Sequence, residues 1–97
     1  MADLREKLAE NLDEARWEWL IPHHEREMVV VVNEELDLLD VGEAIANDNT
    51  SSVQHWINEQ LIYKPSVEQV SVWNNNRSQR FNALIVDPFV LVQELSA

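Results

Sequence analysis

Asp37 to Pro65 reads DLLDVGEAIANDNTSSVQHWINEQLIYKP, and its apolar spacing decides the fold. Leu38, Val41 and Ile45, with Ala44 beside them, recur at i, i+3 and i+7, while Asp40, Glu43 and Asn47 fall between them. That is the buried stripe of an amphipathic helix. Asp37 or Asp40 stands ready to cap its start, and Asp40 with Glu43 has the spacing of a capping box, in which each side chain satisfies an orphan backbone N–H. A second stripe, Val53, Trp56, Ile57 and Leu61, follows at i, i+3, i+4 and i+8, with Asn49, Thr50 or Ser51 as its cap. Asn47, Asp48 and Asn49 lie between the stripes; such residues tolerate left-handed backbone and bond their own main chain, so a break is expected there. The two stripes should face each other across that corner.

Upstream, Asp3 to Leu20 has helical spacing, with Leu4, Leu8, Leu12, Ala15 and Trp19 on one face and Glu6, Glu10, Asp13 and Glu14 on the other. Asp3 and Glu6 again match a capping box. Pro22 should end this helix, because its ring removes a donor and disfavours helix at Ile21. Trp17 and Ile21 fall outside the stripe and are read either as packing on a neighbouring loop or as part of a subunit contact. His23-His24-Glu25-Arg26-Glu27 gathers metal-binding residue types, but adjacent side chains do not converge and the order His-Glu-x-x-His is absent. A solvated polar connector is expected, with no metal. Met28 to Val32 is a β-branched run and reads as a strand buried on both faces, followed by a polar turn at Asn33-Glu34-Glu35.

Downstream, Leu61 to Lys64 is a short extended piece stopped by Pro65. Ser66 and Gln69 fit a capping box, and Val67, Val70 and Trp73 mark a short helix that ends at Asn74-Asn75-Asn76. Polar loop should follow to about Gln79. Arg80 to Leu95, RFNALIVDPFVLVQEL, is the second β region. A two-residue primed hairpin wants positive φ, which proline cannot adopt, so Asp87-Pro88 is read as a bend in one long strand or as a wider turn. ALIV and FVLV are apolar at every position, so at least part of this region must be covered on both sides. A domain this small offers too few elements to cover it all, and sheet extension or packing across a homodimer, through Trp17, Ile21, Phe89, Val90, Leu91 and Val92, is the economical expectation.

The 97 residues suit a single domain spanning 1–97, and a composition 45% hydrophobic and 26% charged is globular rather than disordered. There is no cysteine, hence no disulfide or thiolate chemistry. The absence of a long apolar run or a signal-peptide core leads us to expect a soluble cytoplasmic protein away from membranes. The formal net charge is -11, and it is uneven. Residues 1–48 carry 14 acidic and 4 basic side chains, whereas residues 49–97 carry 4 and 3. A polyanion such as DNA is therefore repelled by the molecule as a whole.

The order of elements resembles a winged helix, which implies an α+β, winged-helix-like fold with three main helices and a small antiparallel sheet. Locally, Thr50-Ser51-Ser52-Val53-Gln54-His55-Trp56-Ile57-Asn58-Glu59-Gln60-Leu61 resembles the second helix of helix-turn-helix regulators of the excisionase and mercury-resistance type. It departs from them at Gln60, where a glycine would close the helix, and in having no basic residue on the helix. Over the whole chain, DLREKLAENLDEARWEWLIPH, LDLLDVGEAIANDN with VQHWI, and RFNALIVDPFVLVQEL are similar to an uncharacterised family of short acidic bacterial proteins, domain of unknown function 2288. That resemblance implies no activity and no site residues.

Three functions follow, in order of expectation. The first is a non-catalytic protein–protein interaction or accessory module, dimeric, with another protein as partner. The second is a DNA-binding regulator reading bases through Ser51, Ser52, Gln54, His55 and Asn58, with Arg77 and Arg80 on phosphate. The chemistry of those side chains suits bases, but the cationic footing is missing. The third is an enzyme, for which His23, His24 and His55 supply bases without any local spacing that joins them to a nucleophile. The single glycine rules out glycine-rich phosphate loops, and no cofactor is expected.

Overall fold

The computed structural model describes residues 4–95, and the Asp3 half of the first capping box lies outside them. In chain order the elements are α1 (Leu4–Glu10), β1 (Leu12–Arg16), α2 (Trp17–Glu25), β2 (Val29–Val32), α3 (Leu38–Ala46), α4 (Thr50–Asn58), β3 (Ile62–Tyr63), α5 (Val67–Asn74), β4 (Arg80–Val86) and β5 (Phe89–Glu94). The fold is α+β. Its five strands form one mixed sheet in the order β1-β4-β5-β2-β3, where β2 and β5 run parallel and the other neighbours antiparallel. This corrects the winged-helix expectation of three helices on a small antiparallel sheet: the described residues hold five helices, distributed over both faces of the sheet.

Alternation along the strands builds two cores. Val29 and Val31, Val90 and Val92, and Phe81 and Ala83 point to one face, where they meet Trp17 and Leu20 of α2 and Trp73 of α5. Val32, Leu84, Val86 and Leu91 point to the other, against Leu8 of α1 and Leu38 and Val41 of α3. Most of the apolar strand surface is thus covered within a single chain, while Ile85 and Phe89 stay 53% and 37% exposed. Trp17, Val90, Leu91 and Val92, assigned above to a subunit contact, are buried in these cores.

The first helix also differs from its expectation. The periodic stretch breaks at Asn11, and LDEAR pairs along β4 with Leu12 opposite Leu84 and Arg16 opposite Arg80. Edge hydrogen bonds to β4, a partner distant in sequence, override a local helical period. The helix restarts in a new phase at Trp17, which buries Trp17 completely and leaves Trp19 59% exposed. Pro22 sits inside α2 rather than ending it. Its missing N–H forfeits the bond to the carbonyl of Glu18, which is an exposed residue.

Asp87 and Pro88 form a two-residue hairpin, Val86 pairing with Phe89, where a bend or wider turn was expected. The Asp87–Pro88 peptide is cis and neither residue has positive φ, so the connection belongs to the turn class that takes proline at its third position.

Other local readings hold. Asn49 caps α4, accepting from the Ser52 N–H at 3.3 Å. Ser66 and Gln69 make both bonds of the capping box, at 3.1 and 3.0 Å. At α3 the cap is Asp37, which accepts from Leu39 N–H at 2.8 Å. Asp40 and Glu43 do not form the expected box; both reach Arg5 instead, Asp40 at 2.7 Å and Glu43 at 3.3 Å, and Asp37 meets the same guanidinium at 3.3 Å. That guanidinium ties α1 to α3. Gly42 permits the close seating of α3 on the sheet, since a Cβ there would lie 2.6 Å from Leu84 Cδ2. Among the described residues no helix is long and apolar enough to cross a membrane.

Candidate functional site

The corner predicted at Asn47-Asp48-Asn49 is present: α3 ends at Ala46, Asp48 takes φ 59°, and α4 starts at Thr50. The Asp48 N–H donates to Ile45 O at 3.2 Å and the Asn49 N–H to Ala44 O at 2.8 Å, the paired bonds of a Schellman cap. The stripes then meet incompletely. Val53 and Trp56 pack on the α3 core half-buried, whereas Ile57 remains 48% exposed, and α4 has no fully buried residue. A nine-residue helix with apolar groups at both 56 and 57 has a broader stripe than α3 can cover.

The uncovered remainder opens a cleft of about 650 Å³ between the α3–α4 corner and the free end of the sheet. Its apolar lining comes from Ala44 and Ile45 of α3, Val53 and Ile57 of α4, Val30 of β2, Ile62 and Tyr63 of β3, and Phe89 of β5. Polar residues complete it, with Asp48, Asn49 and Thr50 at the corner, Gln54 on α4, and Gln60 and Lys64 at and beyond its exit. Gln60 adopts φ 59°, and the Leu61 N–H closes α4 on Trp56 O at 2.8 Å. The residue that lacks the glycine of helix-turn-helix regulators therefore adopts the glycine conformation all the same. A concave, apolar lining with few polar groups suits the burial of apolar ligand surface.

Charge is layered as well. Helices α1 and α3, the β2–α3 connection and the α3–α4 corner contribute Glu6, Glu10, Glu34, Glu35, Asp37, Asp40, Glu43 and Asp48, against Arg5 and Lys7, and of these Asp48 lines the cleft. Arg5 is engaged by three of those carboxylates, and its proton is held more tightly than usual, chiefly by the hydrogen bond to Asp40.

The structure separates the residues grouped for DNA recognition. Ser51, Gln54, His55 and Asn58 are exposed on α4, Ser52 is half-buried, and Gln54 Nε2 donates to Asn58 Oδ1 at 3.1 Å. Arg80 begins β4, opposite Arg16 of the far edge strand, and pairs with Glu14 at 3.0 Å. Arg77 lies in the loop just before it. Because α4 packs against β3 at the other edge, these arginines do not form a wing beside α4. His23 and His24 end α2 on one face of the sheet, and His55 lies on α4 over the other. Of the residues proposed for a subunit contact, Phe89 is 37% exposed and lines the cleft, while Ile21 is half-buried against the α2 core. Gln54, read from the sequence as partner- or DNA-facing, also lines the cleft; sequence reasoning missed the remainder, for which its one signal was the extra apolar residue at Ile57.

A model of the family described as protein of unknown function (DUF2288) matches residues 3–94. The NMR solution structure of PA1075 from Pseudomonas aeruginosa is similar, with a TM-score of 0.81 and 26% sequence identity over 94% of this chain and 83% of that one. No curated protein matches the chain.

Proposed function

The chain belongs to the family described as protein of unknown function (DUF2288), which supplies a fold without a chemistry, and we propose that it works as a non-catalytic interaction module that receives apolar side chains of a partner protein in the α3–α4 cleft. The observation that carries this reading is the exposed rim. Ile57, Tyr63 and Phe89 are 48%, 38% and 37% exposed around one apolar hollow, whereas the other exposed strand apolar residues, Leu12 and Ile85, lie outside it. Large apolar and aromatic side chains grouped at a concavity are the usual anchors of protein interfaces.

The test is affinity purification of the full chain from its native cell at gentle salt, compared with Ile57→Ser and Phe89→Ser, identifying both protein and nucleic acid. A discrete protein retained by the natural chain and lost from both variants is the expected result. A discrete DNA fragment retained by all three would overturn it in favour of readout by the exposed face of α4.

A further inference from the structure

Resting on the cleft as the contact surface, we infer that its occupant is a cationic amphipathic helix of another protein, rather than an added strand or a second copy of this chain. Two features argue against a strand. β3 has only two residues, and Pro65 follows shortly after it, so an incoming strand finds few backbone partners at this edge. Side-chain insertion from a helix needs no such partners, because its anchors at i, i+3 and i+4 enter an apolar groove directly.

Charge selects among the helices. Asp48 lies on the cleft lining, Glu59 precedes the lining residue Gln60, and Asp87 stands two residues before the lining residue Phe89. Among the described residues none of these three carboxylates takes part in an ion pair. Lys64 is the single cation among the lining residues. A second copy would bring its own net charge of -11 to this surface and be repelled, whereas a cationic segment is drawn to it.

Fluorescence anisotropy with the full chain tests this using three labelled peptides of about five helical turns. One has a leucine face and lysines elsewhere, one has the same leucine face and glutamates, and one has the lysine content with serines in place of the leucines. The leucine–lysine peptide is expected to bind at least tenfold more tightly than either of the others. Its affinity should weaken with added salt, drop several-fold in Asp48→Asn and Glu59→Gln, and fall at least tenfold in Ile57→Ser. If both leucine peptides bind equally and both are lost in Ile57→Ser, the cleft remains the contact surface and the cationic partner is overturned. Equal binding of the two lysine peptides, unaffected by Ile57→Ser, or no binding by any peptide, overturns both.

Discussion

The indole rings of Trp17 and Trp73 lie 4.9 Å apart, centroid to centroid, with their planes inclined at 50°. Phe81 meets Trp73 edge-on at 5.0 Å and 87°, so α2, α5 and β4 share one aromatic joint. The polar ends of both indoles are matched. Trp17 Nε1 donates to Asn74 Oδ1 at 2.8 Å, and Trp73 Nε1 donates to Glu94 Oε1 at 2.9 Å.

Removing the Asn74 acceptor should cost more than an exposed position suggests. Trp17 is fully buried, so Asn74→Ala leaves its donor unsatisfied, at about 1–3 kcal/mol. Asn74→Asp keeps an acceptor at the same reach and should retain most of the stability. Urea unfolding followed by far-UV circular dichroism measures both; equal stability of Asn74→Ala and the natural chain would show that the bond contributes nothing.

Gly42 gives a second test, because two effects oppose each other there. Alanine improves the propensity of α3 by about 1 kcal/mol, yet overpacking a filled core costs about 1–3 kcal/mol. Leu84, the nearest obstacle, is fully buried, and Val86 and Leu8 stand 3.4 and 3.5 Å from the added carbon, so the leucine has little room to turn away. Gly42→Ala should therefore be destabilised, and Gly42→Val more so, with the thermal midpoint falling in that order. A raised midpoint for Gly42→Ala would mean that α3 lifts from the sheet without penalty.

How far the fold could be read in advance depended on the range of the forces involved. Asn49, Ser66 and Gln69 act on backbone within three residues, and their caps were legible from spacing alone. The corner at Asp48 and the strand at Val29–Val32 were legible for the same reason. LDEAR was not, since its strand exists through hydrogen bonds to β4, and nothing in its own period separates it from the helix before it. The extent to which one chain covers β4 and β5 was underestimated with it, although Ile85 and Phe89 do remain exposed. Once α2 is seen as a separate helix that begins at Trp17, it and α5 cover one face, while α1 and α3 cover the other. The cleft was hidden because it arises from what α3 fails to cover, a tertiary remainder visible in sequence only as the surplus Ile57.

Three helices end on a left-handed residue, and none of the three is glycine. Glu27, Asp48 and Gln60 have φ of 61°, 59° and 59° after α2, α3 and α4. A non-glycine residue loses about 1–2 kcal/mol there, whereas glycine brings an entropic cost of about 0.5–1 kcal/mol. Gln60→Gly should consequently gain a few tenths to about 1 kcal/mol, raising the thermal midpoint by several degrees. Gln60→Val, β-branched in a left-handed position, should lower it. Calorimetry on the two variants checks the order, and a destabilised Gln60→Gly would assign the Gln60 side chain a stabilising contact that outweighs its backbone.

Arg5 should make stability depend on salt in a way that its removal reverses. Its Nη1 reaches Asp40 and Glu43 and its Nη2 reaches Asp37, so one exposed guanidinium offsets the repulsion among three carboxylates of a single helix and its cap. The folded state raises the pKa of Arg5, through the Asp40 hydrogen bond first, with desolvation opposing it. A raised pKa means a contribution fully present below the unfolded value and lost only as pH climbs through the folded one, so Arg5 remains charged throughout the neutral and acid range. In Arg5→Ala the carboxylates are left facing one another, and unfolding at low salt should come at clearly lower urea concentration than in the natural chain. Added salt screens that repulsion, the Debye length shrinking from about 10 Å at 0.1 M to about 3 Å at 1 M, and the gap between the two proteins should narrow. Arg5→Lys should fall between them, since one ammonium cannot present separate donors to Asp37 and Asp40. A gap that stays constant across salt would show that Arg5 holds α1 by the packing of its stem rather than by its charge.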